Sequence, residues 1–470
     1  MTANHGRHAA GRSPEPVEPG LPVEPSQGVE SGPPAEPGLR VSAAPSVQPG
    51  RRGVAGRLGW GIADQAVSSI GNFLLGVFVA RLLGATGLGA LGLAFLAYSV
   101  ALNCSRALST DALMVRFSVS GRSDRRQAVA AAGGVALLVG IAGGLICVLI
   151  GIVLRLMTPH SEPGAAFIAL GIVLPGLTLQ DSWRSAFFSA GQGAKTFAND
   201  ALWTVLMLTV LFAGRYLDFG ITAALLTFGG TAAVAGLYGI RQSGVMPRPA
   251  GAVGWMRSHS DLGLRFLVEN VVLGAGGQIR TLIVAASGGL AAAGAIRGAE
   301  MLIGPVAALL MGVGQVAVPE AARALARGTH VLWRLCALLS GGLSAIALSW
   351  GLVILVVFPL GLGEVVLGSV WRDAHALVLG VIISAAAGCL YVGPSAGLRA
   401  LGRADQTMQC QIAVTTMFVV LATLSGVFWQ AQGVVWGSAI ASVLGIGVWW
   451  SRLVKARRQH VATPEESAAV

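Results

Sequence analysis

From Leu58 onward the chain is a succession of apolar runs long enough to cross a bilayer. A helix needs about 20 mostly apolar residues to span roughly 30 Å of hydrocarbon. Twelve segments approach or exceed that length, at 58–81, 87–110, 128–154, 164–183, 199–214, 219–240, 262–286, 294–318, 335–360, 376–397, 409–429 and 432–451. The fifth is short. Membrane strands would alternate apolar with polar residues, whereas these runs are uninterrupted, so the segments are helices. Only 11% of the residues are charged, against about 25% in a soluble domain. The expected fold class is an all-α integral membrane protein of about 12 transmembrane helices.

Residues 1–50 are a different regime. They hold ten of the 20 prolines and no Phe, Trp or Tyr, the composition of a disordered Pro/Glu/Gly-rich tail. The first apolar run begins too late for a cleavable signal peptide.

The formal net charge of +11 would suggest nucleic acid in a soluble protein, but topology absorbs it. With the N-terminus cytoplasmic, the inner connections and ends collect 22 Arg and Lys residues. The outer ones hold only Arg81, Arg155, Arg215 and Arg372. This asymmetry is the positive-inside pattern. It places both termini in the cytoplasm and the chain in the cytoplasmic (inner) membrane, with no nucleic-acid partner. The five cysteines lie in apolar segments without CxxC spacing, so they read as small buried hydrophobes.

The two halves of the chain resemble each other. Asp64 and Glu269 are 205 residues apart, as are Gly89-Ala90-Leu91 and Gly294-Ala295-Ile296. Gly191 and Thr196 recur as Gly402 and Thr407, 211 residues on. Six helices per repeat is an even number, so both repeats enter from the same side, the parallel type of transporter repeat. The domain reading is a tail (1–50), an N-terminal six-helix lobe (51–240), a cytoplasmic linker (241–261), a C-terminal six-helix lobe (262–455) and a cytoplasmic tail (456–470). The linker carries Trp255-Met256-Arg257 and reads as a short amphipathic element on the membrane surface.

Two facing bundles leave a cleft between them, where such proteins hold their substrates. Ionisable residues at membrane depth cost roughly 2.5–3.5 kcal/mol each on insertion scales and usually face a cavity or a partner. Arg280, Arg297, Glu300, Arg81 and Arg106 are the candidate substrate-binding residues of a polar cavity, in which the guanidiniums would grip an anionic head group bidentately. Asp64 and Glu269 are the candidates for coupling or gating, as buried carboxylates that take up a proton. The bland alternative is local neutralisation, as of Arg297 with Glu300 three residues on; Asp181 and Arg184, also three apart near a helix end, read as a structural pair. Pro175, Pro305 and Pro394 interrupt helices four, eight and ten as hinges or packing kinks. The glycine clusters at 140–144, 274–277 and 341–342 suit close helix packing.

Enzyme signatures are missing. The sequence has no P-loop, no HExxH and no Cys/His cluster with metal spacing, so no cofactor or metal is expected. Gly393-Pro394-Ser395-Ala396-Gly397 matches GxSxG only formally, since it ends a membrane helix. The short outer loops leave little room for the catalytic carboxylates of a membrane glycosyltransferase.

The opening of the apolar region, Gly59-Trp60-Gly61-Ile62-Ala63-Asp64-Gln65 through Ala80-Arg81-Leu82-Leu83-Gly84 and Gly89-Ala90-Leu91-Gly92-Leu93-Ala94, resembles a known family. It is similar to the polysaccharide (oligosaccharide-lipid) flippases of the multidrug/oligosaccharidyl-lipid/polysaccharide exporter superfamily. The turns at Ala190-Gly191-Gln192-Gly193 and Ala400-Leu401-Gly402-Arg403 resemble the same family, and the likeness covers about residues 55–455. It implies a MATE/flippase-like fold of two pseudo-symmetric six-helix bundles around a cavity that opens alternately to either side. It also implies a polyprenyl-pyrophosphate-linked glycan or other amphiphilic substrate, with Arg280 and Arg297 as head-group contacts. The alternative within the superfamily is an antiporter coupled to protons or sodium that exports small molecules or drugs.

Overall fold

The computed structural model describes residues 51–117, 122–214 and 219–467, with backbone alone for 51–58 and most of 261–281. The tail expected over 1–50 lies outside the described residues. Every regular element among the described residues is helical.

The first is α1 (Arg51–Ser105), followed by a π-helical turn (Arg106–Thr110) and the short α2 (Asp111–Arg116). One residue bends α1 sharply: Gly84, at φ 65°, ψ −160°, a region essentially open only to glycine. Two transmembrane legs, 51–83 and 85–105, thus meet at a single glycine. Next come α3 (Arg122–Met157), α4 (Glu162–Ser189), α5 (Gly193–Gly214) and α6 (Ile221–Ser243). Ser161 caps α4 by accepting from the Gly164 amide at 3.2 Å, which satisfies one of the donors exposed at a helix start.

The linker contains α7 (Ala252–Ser258), and the second half begins with α8 (Ser260–Leu302). Its bend is at Gly289, at φ 77°, ψ −178°, 205 residues after Gly84 and in the same backbone region. The chain continues through α9 (Gly304–Ala326), α10 (Thr329–Val357), α11 (Leu362–Leu367), α12 (Val370–Cys389), α13 (Val392–Ala400) and α14 (Ala404–Ser467). Pro305 and Pro394 stand just after the breaks between α8 and α9 and between α12 and α13; a 59° bend marks the first. Pro175 stays inside α4.

Eight helical stretches are long and apolar enough to cross a membrane, or nine with the bent pair at Gly288–Met311. The breaks at Gly84 and at Trp429–Gln430 divide two of these stretches into two crossings each. With the 260–288 leg of α8, the expected twelve crossings are all present. The two legs of α14 run antiparallel: Gly433 packs on Ser425, Gly437 on Leu421 and Gly445 on Val414.

Large apolar side chains point outward, among them Leu145, Leu149 and Leu156 on α3 and Leu338 and Leu352 on α10. In water such a surface would aggregate; in a bilayer it is the solvated face. Helix association in lipid gains nothing from hydrophobicity and depends on close contact. The α3–α4 pair is built that way, with Gly144 against the Gly171 carbonyl and Gly151 against the Gly164 carbonyl. All five cysteines are free, and four are buried.

Candidate functional site

The expected site residues occupy four separate surroundings. The first is a buried ionic network in the N-terminal bundle. The Asp64 carboxylate is fully buried and accepts two hydrogen bonds on Oδ2 from Arg184, at 2.8 Å from Nε and 2.6 Å from Nη2. Arg184 Nε also lies 3.6 Å from Asp200 Oδ2. Gln180 Nε2 donates to Asp200 Oδ1 at 2.6 Å and to Asn199 Oδ1 at 3.3 Å. Asn199 in turn donates to the Ala235 carbonyl and to Gln242 Oε1. One arginine on α4 thus ties together the first leg of α1, α5 and, through amides, α6.

Beside it, Arg106 grips Asp181 bidentately, at 2.9 Å from Nε and 2.6 Å from Nη2. Arg106 stands on the π-helical turn, a distortion that re-aims side chains and recurs at functional sites. The expected local pair of Asp181 with Arg184 is therefore not the one formed. Each residue finds its partner outside α4 instead, Arg184 on α1 and Asp181 on the π-helical turn that follows it. The network holds three carboxylates, Asp64, Asp181 and Asp200, against two guanidiniums. Asp64 Oδ1 and Asp200 Oδ2 are buried without a hydrogen-bond partner among the described residues.

The second surrounding is the interface between the bundles. The second leg of α1 and the last part of α8 cross where glycines permit it. A Cβ on Gly89 would overlap the Leu290 carbonyl, and a Cβ on Gly294 would overlap the Ala85 carbonyl. The two contacts are exchanged by the 205-residue repeat, so a pseudo-two-fold axis passes between them. About two turns along α1, the Arg297 guanidinium lies over the Phe95 ring, 5.7 Å from its centroid. Phe95 belongs to an aromatic platform with Tyr98, Phe228 and Trp203. A cation from one bundle thus rests on the π face of the other, an attraction of about 0.5–2 kcal/mol.

The third surrounding is a cavity of about 220 Å³ in the C-terminal bundle. Glu300 lines it with Ser384 and Ser438, among Ile303, Val381 and Val435. The fourth is a cleft of about 520 Å³ between α1 and α5, where Arg81 stands among apolar residues. The side chains of Glu269 and Arg280 lie outside the described residues; their backbone belongs to the 260–288 leg of α8.

The expectations missed Asp200, Asn199, Gln180 and Gln242. Their signal was a cluster of amides and carboxylates near the ends of apolar segments. The linker also differs in detail from a free amphipathic element. Trp255 is buried, stacked on His259 and packed against Phe117, and the Arg248 amide donates to the Ala130 carbonyl of α3.

No family model matches the sequence, and no curated protein matches it. Solved structures share its fold. One is an inward-facing conformation of a multidrug resistance MATE family transporter of the MOP superfamily, at 15% identity and a TM-score of 0.61, covering 83% of this chain and 96% of that one. Another is the lipid II flippase MurJ in an inward closed conformation, at 12% identity and a TM-score of 0.62, covering 85% and 88%. An outward-facing MATE transporter aligns at 16% identity with a TM-score of 0.52, covering 86% and 96%. At these identities the likeness establishes the fold.

Proposed function

We propose that this protein flips or exports a lipid-linked saccharide across the cytoplasmic membrane, by alternating access between its two bundles. In this reading the arginine-rich end faces the cytoplasm with both chain termini, which the positive-inside distribution of charge supports. The observation that carries the reading is Arg297 resting on Phe95 in the seam between the bundles. A guanidinium there meets whatever enters when the seam parts, and it recognises pyrophosphate through a planar fork. Arg280, on the preceding leg of α8, is the second proposed head-group contact. The fold shared with MurJ, described as a lipid II flippase, agrees with an amphiphilic substrate.

The test is transport with Arg297→Ala and Arg280→Ala, alongside deletion of the whole chain. The expected outcome is accumulation of lipid-linked oligosaccharide on the cytoplasmic leaflet, with the variant proteins still folded and present at normal level. Full transport by both variants removes the head-group assignment. Normal glycan export in the deletion strain removes the substrate class.

The second reading, a cation-coupled exporter of small molecules or drugs, draws on the carboxylate excess of the N-terminal network. Asp64 and Asp200 share one arginine, and an ion or proton arriving there would relieve the imbalance. Glu269 is the proposed counterpart of Asp64 in the second repeat. Efflux of an organic cation driven by a proton or sodium gradient in vesicles, without effect on glycan lipids, favours this reading.

A further inference from the structure

The cleft at Arg81 is neither the Arg297–Phe95 contact nor the buried network. It lies on the outside of the N-terminal bundle, between the end of the first leg of α1 and the last turns of α5. Its walls are Leu74, Val77 and Phe78 on one side and Leu208, Leu211 and Phe212 on the other. Leu211 forms the floor, at 1% exposure, while Leu82 and Phe212 at its lip are exposed. A lip of exposed apolar side chains at membrane depth opens onto acyl chains, not water. The volume of about 520 Å³ is within the range of roughly 300–1,000 Å³ typical of small-molecule sites.

The polar content is one-sided. Arg81 stands at the end of the cleft remote from the arginine-rich face, where the helix leaves the hydrocarbon. Its Nη1 donates to the Val365 carbonyl at 3.0 Å, which engages one of the five donors of the guanidinium. That bond holds the fork in place and leaves other donors for a second acceptor. An apolar groove along two helices, ending in one oriented and exposed cation, complements an amphiphile with an anionic head.

We infer that this cleft is a binding site for an anionic phospholipid of the outer leaflet, its acyl chain lying along Leu74–Phe78 and Leu208–Phe212 and its phosphate against Arg81. The site does not rest on the proposed substrate. Because Arg81 also holds the Val365 carbonyl of the C-terminal half, the lipid sits where the two halves touch.

Binding of a fluorescent phosphatidylglycerol and of a phosphatidylcholine with the same chains to the full-length protein in detergent tests the inference. Phosphatidylglycerol is expected to bind about fivefold more tightly, the effect of one arginine near an anionic lipid. Arg81→Ala should bring the two lipids to equal affinity, and Arg81→Lys should keep most of the preference. Leu208→Trp, which fills the groove, should weaken both lipids together. Equal binding of the two lipids to the unmodified protein, or a preference that survives Arg81→Ala, overturns the site. Displacement of phosphatidylglycerol by a polyprenyl phosphate at a lower concentration than by unlabelled phosphatidylglycerol overturns the phospholipid assignment and gives the groove to the transported lipid.

Discussion

Gly89 and Gly294 exclude side chains from each other's neighbourhood: each faces, across the seam, the carbonyl oxygen that lies four residues before the other, Leu290 for Gly89 and Ala85 for Gly294. The obstructing atoms are backbone, so no rotamer change makes room. Gly89→Ala and Gly294→Ala should therefore push the helices apart. Each should cost about 1–3 kcal/mol, the usual penalty of overpacking. Spin labels at Thr86→Cys and Ala291→Cys, which are exposed and related by the repeat, should report a longer separation in either alanine variant. An unchanged distance and unfolding temperature would show that the seam has slack.

The buried network predicts an asymmetry among substitutions. Arg184→Ala strands the two buried carboxylates Asp64 and Asp200 together, and breaking a buried ion pair this way costs about 3–5 kcal/mol. Arg184 is 21% exposed, so the lower end is expected. Asp64→Asn leaves Arg184 beside Asp200 and should cost less. The double variant Asp64→Asn with Arg184→Gln should be more stable than Arg184→Ala alone. Thermal unfolding of the purified variants orders the three.

The single-glycine bends make a matched pair of tests. Gly84 and Gly289 both occupy a region where non-glycine residues cost of order 1–3 kcal/mol. Gly84→Ala and Gly289→Ala should lower the unfolding temperature by similar amounts. The neighbouring Gly92, which has open space around it and no positive φ, should accept alanine with little change or a gain. A large difference between the first two variants would mean that the halves are less alike than their backbones.

One position offers stabilisation. Gln430 joins the two legs of α14 at φ 48°, ψ −132°, an unfavourable conformation for a residue with a Cβ. Gln430→Gly should raise stability by about 1 kcal/mol, seen as a higher unfolding temperature, with the neighbouring Trp429 left in place. A drop in unfolding temperature would show that the glutamine side chain contributes more than its backbone costs.

Much of this architecture was readable from spacing. The 205-residue offset that links Gly89 with Gly294 also links Gly84 with Gly289, and the 211-residue offset links Gly191 with Gly402, both pairs of turn glycines at positive φ. A repeat leaves its mark where glycine alone fits, because those positions tolerate no drift. Ion pairing was less legible. Asp181 and Arg184, three apart on one helix, look self-sufficient, yet α4 packs against both α1 and the π-helical turn beyond it. Each stretch supplies an opposite charge, Asp64 and Arg106, at better geometry than the neighbour on the same helix. Periodicity reports which face a residue is on, not what an adjacent helix brings to it. Arg81 shows the same limit: its depth along the helix is visible in sequence, but its direction, into a cleft between α1 and α5, is set by packing.

The connections at Gly84 and Gly289 are one residue long, and this limits how the molecule can move. A helical hairpin joined by a longer loop can scissor, one leg sliding against the other. A hairpin joined at a single glycine keeps both legs near one vertex, so its ends sweep while its tip stays almost still. In this chain both vertices lie at the same end, beside the mutual glycine contacts. That end is pinned at two single residues, whereas the opposite end carries the longer 241–261 connection. Bulk added at the glycine vertices therefore acts on the pivots of both halves at once.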